Sequence, residues 1–122
     1  IVLEPIECIF SGGHTFKDYD LKWYDFKNLT YKPVEDELLQ NKLCSFARDA
    51  FIKLKLDGYI RFDIRQNSKG ELFLLDVNPY CAIFYPEELY GSADYILEKS
   101  KIFNHKTFVE HLIECSENRY SL

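Results

Sequence analysis

The sequence predicts an α+β fold, with helices packed on a mostly antiparallel sheet. Residues 59–65 alternate apolar and polar, a polar turn follows, and a second extended run covers 71–77, which together read as an antiparallel hairpin. Residues 33–56 repeat apolar side chains at helical spacing. The elements run strand, loop, helix, hairpin, helices, an order that suggests helices packed on a mostly antiparallel sheet.

Taken in order, residues 1–10 are rich in Ile and Val and read as a strand, broken by Ser11-Gly12-Gly13. Residues 14–31 mix Phe16, Tyr19, Trp23, Tyr24, Phe26 and Tyr31 with Lys and Asp without a clean period, and are expected to form an ordered loop with short extended pieces. Pro33 opens the helical pattern. Glu35, Asp36 and Glu37 then fall in a first turn, where the helix dipole favours acids. Leu39, Leu43, Phe46, Ala47, Ala50 and Leu54 form its apolar face, and Asp57-Gly58 is expected to end the helix near Leu56. In the hairpin, Ile60, Phe62 and Ile64 share one face, and Asn67-Ser68-Lys69-Gly70 is turn sequence. Pro79 stops the second strand. Residues 87–98 are expected to be partly helical, with Gly91-Ser92 as a break and restart. Thr107 and Glu110 make a capping box for a last helix that turns Phe108, Leu112, Ile113 and Cys115 toward the core.

Composition narrows the function classes. The chain has 122 residues, 47 % apolar and 29 % charged, enough for one domain with one core. Its net charge is −5, and no Lys/Arg cluster stands out, which argues against a nucleic-acid partner. No apolar run approaches the length of a membrane span. Cys8, Cys44, Cys81 and Cys115 are widely dispersed without a C-x-x-C pair. Free thiols in a reducing, cytoplasmic setting are expected, and a structural zinc site is not. None of His14, His105 and His111 sits at ligand spacing to another His, and His111 is expected to be a surface or half-buried residue of the last helix. The chain contains no Met, and we expect it to be a piece of a longer protein.

The stretch with chemical content is Gly58-Tyr59-Ile60-Arg61-Phe62-Asp63, followed by Leu75-Asp76-Val77-Asn78-Pro79. A turn centred near Ser68 sets Asp63 opposite Leu74, Arg61 opposite Asp76 and Tyr59 opposite Asn78. Every second strand residue shares a face, so Arg61, Asp63, Asp76 and Asn78 are expected on one face of the hairpin. Opposed residues lie roughly 5 Å apart and diagonal ones about 7–8 Å. Three oxygen-bearing side chains at such separations can hold one or two hard cations. Arg61 adds a planar, permanent positive fork suited to phosphate or carboxylate. The same pattern also describes an ordinary solvent-facing hairpin.

These two segments resemble the Gly-x-x-Arg-x-Asp…(Glu/Asp)-x-Asn pattern that closes the ATP-grasp site of D-alanine–D-alanine ligases. Leu3-Glu4-Pro5-Ile6-Glu7 is similar to that family's strand before its aromatic loop. Phe16-Lys17-Asp18-Tyr19-Asp20-Leu21-Lys22-Trp23 is similar to its Asp-Tyr-x-x-Lys-(Tyr/Trp) segment. The helices from Pro33 and from Thr107 also have counterparts, so the resemblance spans nearly all of residues 1–122. It implies the C-terminal subdomain of an ATP-grasp fold and an ATP-dependent carboxylate–amine ligase acting through an acyl phosphate. ATP and small amino-acid-like molecules would be its substrates. Asp63, Asp76 and Asn78 would bind Mg²⁺, two ions in the family, with Mn²⁺ an alternative. Arg61 would stabilise the transferring phosphoryl group and the tetrahedral oxyanion. Lys22 would contact the γ-phosphate or acyl phosphate, and Tyr19 would line the nucleotide site beside it.

The chain departs from the family pattern in three places. Asp76 stands where the family more often has Glu, one methylene longer. The run Asn78-Pro79-Tyr80-Cys81-Ala82-Ile83-Phe84-Tyr85-Pro86 is aromatic and lacks the Pro-Gly loop that binds substrate, so the resemblance leaves the identity of the substrate open. The half of an ATP-grasp domain that carries the adenine pocket and two phosphate-binding lysines has no counterpart here, so this chain alone is expected to be inactive. A non-catalytic ATP-grasp-derived binding or interaction module is the competing reading.

Overall fold

The computed structural model describes residues 1–11 and 29–120. Among them, two small antiparallel sheets and three helices make an α+β architecture. β1 (Ile6–Phe10) pairs with β2 (Leu29–Pro33), Ile6 opposite Pro33 and Phe10 opposite Leu29. β3 (Arg61–Gln66) pairs with β4 (Leu72–Asn78). The strands therefore form two two-stranded sheets, not one. β2 takes residues the sequence assigned partly to a loop, and its last residue, Pro33, ends a strand and does not open the helix.

α1 spans Glu37–Lys53. It starts later than expected because Asp36, read from sequence as a first-turn acid, is the N-cap: its Oδ1 accepts from the Leu38 and Leu39 amides at 2.9 and 3.1 Å. It also ends earlier. Lys55 enters the left-handed region at φ 52°, and the Lys55 and Leu56 amides turn back onto the carbonyls of Ile52 and Phe51. That pair of bonds is a Schellman ending, with lysine where glycine is favoured. The expected apolar face is half-buried along Leu39, Leu43, Phe46, Ala47 and Ala50, while Leu54 is exposed.

The hairpin turn is closed by Asn67. Its Oδ1 accepts from the Lys69 and Glu71 amides, both at 2.9 Å, and its amide donates to the Glu71 carbonyl. Gly70, at φ 79°, supplies the left-handed residue that this turn requires.

A single helical turn at Glu87–Leu89 precedes α2 (Ser92–Lys99), with Gly91 as its N-cap, so the expected break and restart is present. α3 spans His105–Tyr120 and starts two residues before Thr107. Asn104 caps it: its Oδ1 accepts from the Thr107 amide at 2.9 Å, and Thr107 Oγ1 accepts from the Asn104 amide at 3.0 Å. The capping box is thus Asn104–Thr107, with Thr107 in the third helical position. Glu110 pairs instead with Lys106 at 3.7 Å.

The core lies where α2 meets the segment after β4 and the start of α3. Cys81, Ala93, Leu97 and Phe108 are its buried apolar members. Of the residues expected to face inward from the last helix, Phe108 is buried and Leu112 half-buried, whereas Ile113 and Cys115 are exposed. Among the described residues no helix is long and apolar enough to cross a membrane.

Candidate functional site

The β3–β4 hairpin brings together four of the residues singled out from sequence. Their register differs from expectation. Arg61 faces Asn78, Phe62 faces Val77 and Asp63 faces Asp76, whereas beyond a bulge Ile64 faces Leu74. Leu75 is the extra residue. A bulge turns two successive side chains toward one side, and Leu75 and Asp76 are accordingly both exposed between half-buried Leu74 and Val77. A turn count assumes an unbroken ladder and so misses this slip. The consequence is chemical: two carboxylates stand directly opposed, with Arg61 and Asn78 as the next opposed pair on that face.

Arg61 and Asp63 are locked together. Arg61 Nε donates to Asp63 Oδ1 at 2.8 Å and a terminal nitrogen donates to Oδ2 at 3.1 Å, a two-bond fork onto one carboxylate. The other terminal nitrogen reaches Ser92 Oγ at 3.4 Å, tying the hairpin to the first residue of α2. Burial weighs against the guanidinium charge, but the Asp63 hydrogen bonds and the negative charges around it outweigh that, and the Arg61 pKa is raised. Asn78 Oδ1 accepts from the Tyr80 amide at 3.0 Å and so starts the turn that leaves the sheet.

Sequence reasoning missed Tyr31, Ser92, Asp94 and His105. Tyr31, on β2, lies close enough to the site for Arg61, Asp63 and Ser92 all to act on its hydroxyl. Its pKa is pushed up to about 12, chiefly by burial. Its ring packs 5.8 Å from that of Tyr95 on α2. Burial likewise pushes up the Cys81 thiol, against the lowering effect of Arg61.

Asp94 is fully buried. Its Oδ1 accepts from the Phe84 amide at 2.7 Å and from His105 Nε2 at 2.9 Å, while Oδ2 has no hydrogen-bond partner. Phe84 has φ 68°, a costly backbone for an aromatic residue. The Tyr90 ring stacks on His105 at 5.4 Å and holds it. A buried carboxylate therefore anchors the aromatic segment that follows Asn78. An Asp three residues into a helix is common, and only its burial sets this one apart.

The donor set on the hairpin is two carboxylates and one amide, all oxygen. That chemistry fits a hard divalent cation such as Mg²⁺ and not a thiolate-loving metal. Among the described residues no three His, Cys, Asp or Glu side chains converge as metal ligands, so the amide of Asn78 and water would have to complete the shell. Lys22 and Tyr19, expected at the phosphates and the nucleotide, lie outside the described residues. Cys44, Cys81 and Cys115 are free thiols.

No family model matches the chain, and neither the curated proteins nor the solved structures include a significant match to it.

Proposed function

We propose that this chain is the metal- and phosphate-binding part of an ATP-dependent carboxylate–amine ligase of the D-alanine–D-alanine ligase kind, built as the C-terminal subdomain of an ATP-grasp fold. The observation that carries the reading is the bulge at Leu75, which opposes Asp76 to Asp63 beside Arg61 and Asn78. A solvent-facing hairpin has no need of two carboxylates face to face, since like charges directly opposite are destabilising.

The proposed reaction runs in two steps. The γ-phosphoryl group of ATP passes to a substrate carboxylate oxygen, giving an acyl phosphate and ADP. An amine then attacks the carbonyl carbon, the bond to the phosphate oxygen breaks, and phosphate and a proton leave. Phosphoryl transfer mostly requires positioning and charge neutralisation. Arg61 would supply both, turning a terminal nitrogen from Ser92 toward the phosphoryl oxygens while Asp63 keeps the guanidinium plane oriented. Lys22 would neutralise the γ-phosphate, and Tyr19 would line the nucleotide. Mg²⁺ at Asp63, Asp76 and Asn78 would offset the charge of the phosphate chain. Asp94 would keep the segment after Asn78 in place beside the reacting carbonyl.

One observation favours a second reading, a non-catalytic ATP-grasp-derived binding module. Both oxygens of Asp63 are already engaged by Arg61.

Two arms decide between the readings: ATP hydrolysis by the full-length protein with Mg²⁺ and a panel of small amino acids, and the same assay on Asp76→Ala. The ligase reading expects amino-acid-stimulated turnover that falls at least ~100-fold in the variant, as loss of a key electrostatic group does. A folded protein with no turnover under any condition would favour the binding module.

A further inference from the structure

A second cluster of ligand-type side chains lies on α3, away from the hairpin. Cys115 and His111 sit four residues apart, on one face of successive helical turns. Cys115 Sγ lies 3.5 Å from His111 Nε2. On the other side of the ring, His111 Nδ1 lies 3.8 Å from Glu114 Oε2. The Phe103 ring stacks on the imidazole at 5.0 Å and 27°, fixing its plane. Cys115 is exposed, so a cation reaches it from solvent.

The geometry points to a site for a single zinc-class divalent cation at His111 and Cys115. Tetrahedral zinc has Zn–S near 2.3 Å and Zn–N near 2.0–2.1 Å, which sets the sulfur and nitrogen roughly 3.5 Å apart. The observed separation equals that span, so a metal enters between the two atoms with little movement of either side chain. A metal-bound histidine characteristically directs its other ring nitrogen at a carboxylate, and Glu114 stands on that side. Thiolate and imidazole select zinc and its neighbours over Mg²⁺, so this site and the all-oxygen hairpin take different ions. Among the described residues no third ligand converges here, and water fills the remaining positions. Binding releases the thiol proton to solvent.

Cobalt(II) is the probe, because zinc is spectroscopically silent. It is titrated into the full-length protein in a non-thiol reductant. The expected result is a thiolate-to-cobalt absorption band that saturates at one ion per chain and is erased by added Zn²⁺. The band should vanish in Cys115→Ser and persist in Cys44→Ser. In His111→Ala it should require at least ~10-fold more cobalt, the minimum typical even for an outer-shell partner. Cys115 is exposed and His111 half-buried, and an unchanged circular dichroism spectrum confirms an intact helix. Absence of the band, its survival in Cys115→Ser, or an unaltered titration in His111→Ala would overturn the site and leave an ordinary S–H···N contact. None of these outcomes depends on the ligase reading.

Discussion

Asp94 is the residue on which the segment beside the hairpin depends. Its carboxylate is fully buried and accepts from the amide of a left-handed Phe84. Asp94→Ala strands that amide in the interior and removes the partner of His105. We expect a loss of about 2–3 kcal/mol, read as a lower urea midpoint. Asp94→Asn retains an acceptor for Phe84 and should lose less. A second prediction concerns Tyr31, whose pKa stands at about 12 against an ordinary 10.0. Between those values the unfolded chain gives up its phenolic proton before the folded one does. Stability from this group is therefore complete below pH 10 and lost as pH rises toward 12. The half-buried ring limits the effect to the order of 1 kcal/mol. Urea midpoints at pH 9 and pH 11 should differ more for the unaltered protein than for Tyr31→Phe; equal differences would refute the assignment.

At the scale of the element, termini and registers are decided by single side chains. α1 closes on Lys55 at φ 52°, where a Cβ is unfavourable. Lys55→Gly removes that penalty and should raise stability by roughly 0.5–1 kcal/mol, checked by thermal melting. If the variant melts lower, the Schellman ending is not formed in solution. The hairpin carries the larger lesson. The alternation of residues 59–65 and the turn at Asn67 and Gly70 were both legible in the sequence, and the polar face followed from them. The bulge at Leu75 was not, because Leu74-Leu75 is apolar at both positions and no pattern marks which of the two loses its partner. Likewise Thr107 was legible as part of a cap, but Asn104–Thr107 lacks the Glu or Gln that marks a capping box in sequence, and only the backbone shows it.

Among the described residues the buried core is small. Leu97 is 1 % exposed and Cys81, Ala93 and Phe108 are buried too, while α1 buries no residue fully. Among the described residues few other apolar side chains are buried, so Leu97→Ala should cost about 2–5 kcal/mol and lower the stability of the hairpin and the helices together. Amide exchange that rose in α2 but not in β3 and β4 would show instead that the sheet is held independently.

The sequence by itself determined the α+β class, the hairpin with its polar face, and the candidate residues Arg61, Asp63, Asp76 and Asn78. Periodicity, turn chemistry and residue type are local properties, written in neighbouring positions. The tertiary structure alone decided that Asp76 opposes Asp63, that Arg61 reaches Ser92 on α2, and that Asp94 is buried against Phe84 and His105. Those facts join residues far apart in the chain, or depend on a one-residue slip between strands. Packing energy settles them, and no local pattern records it.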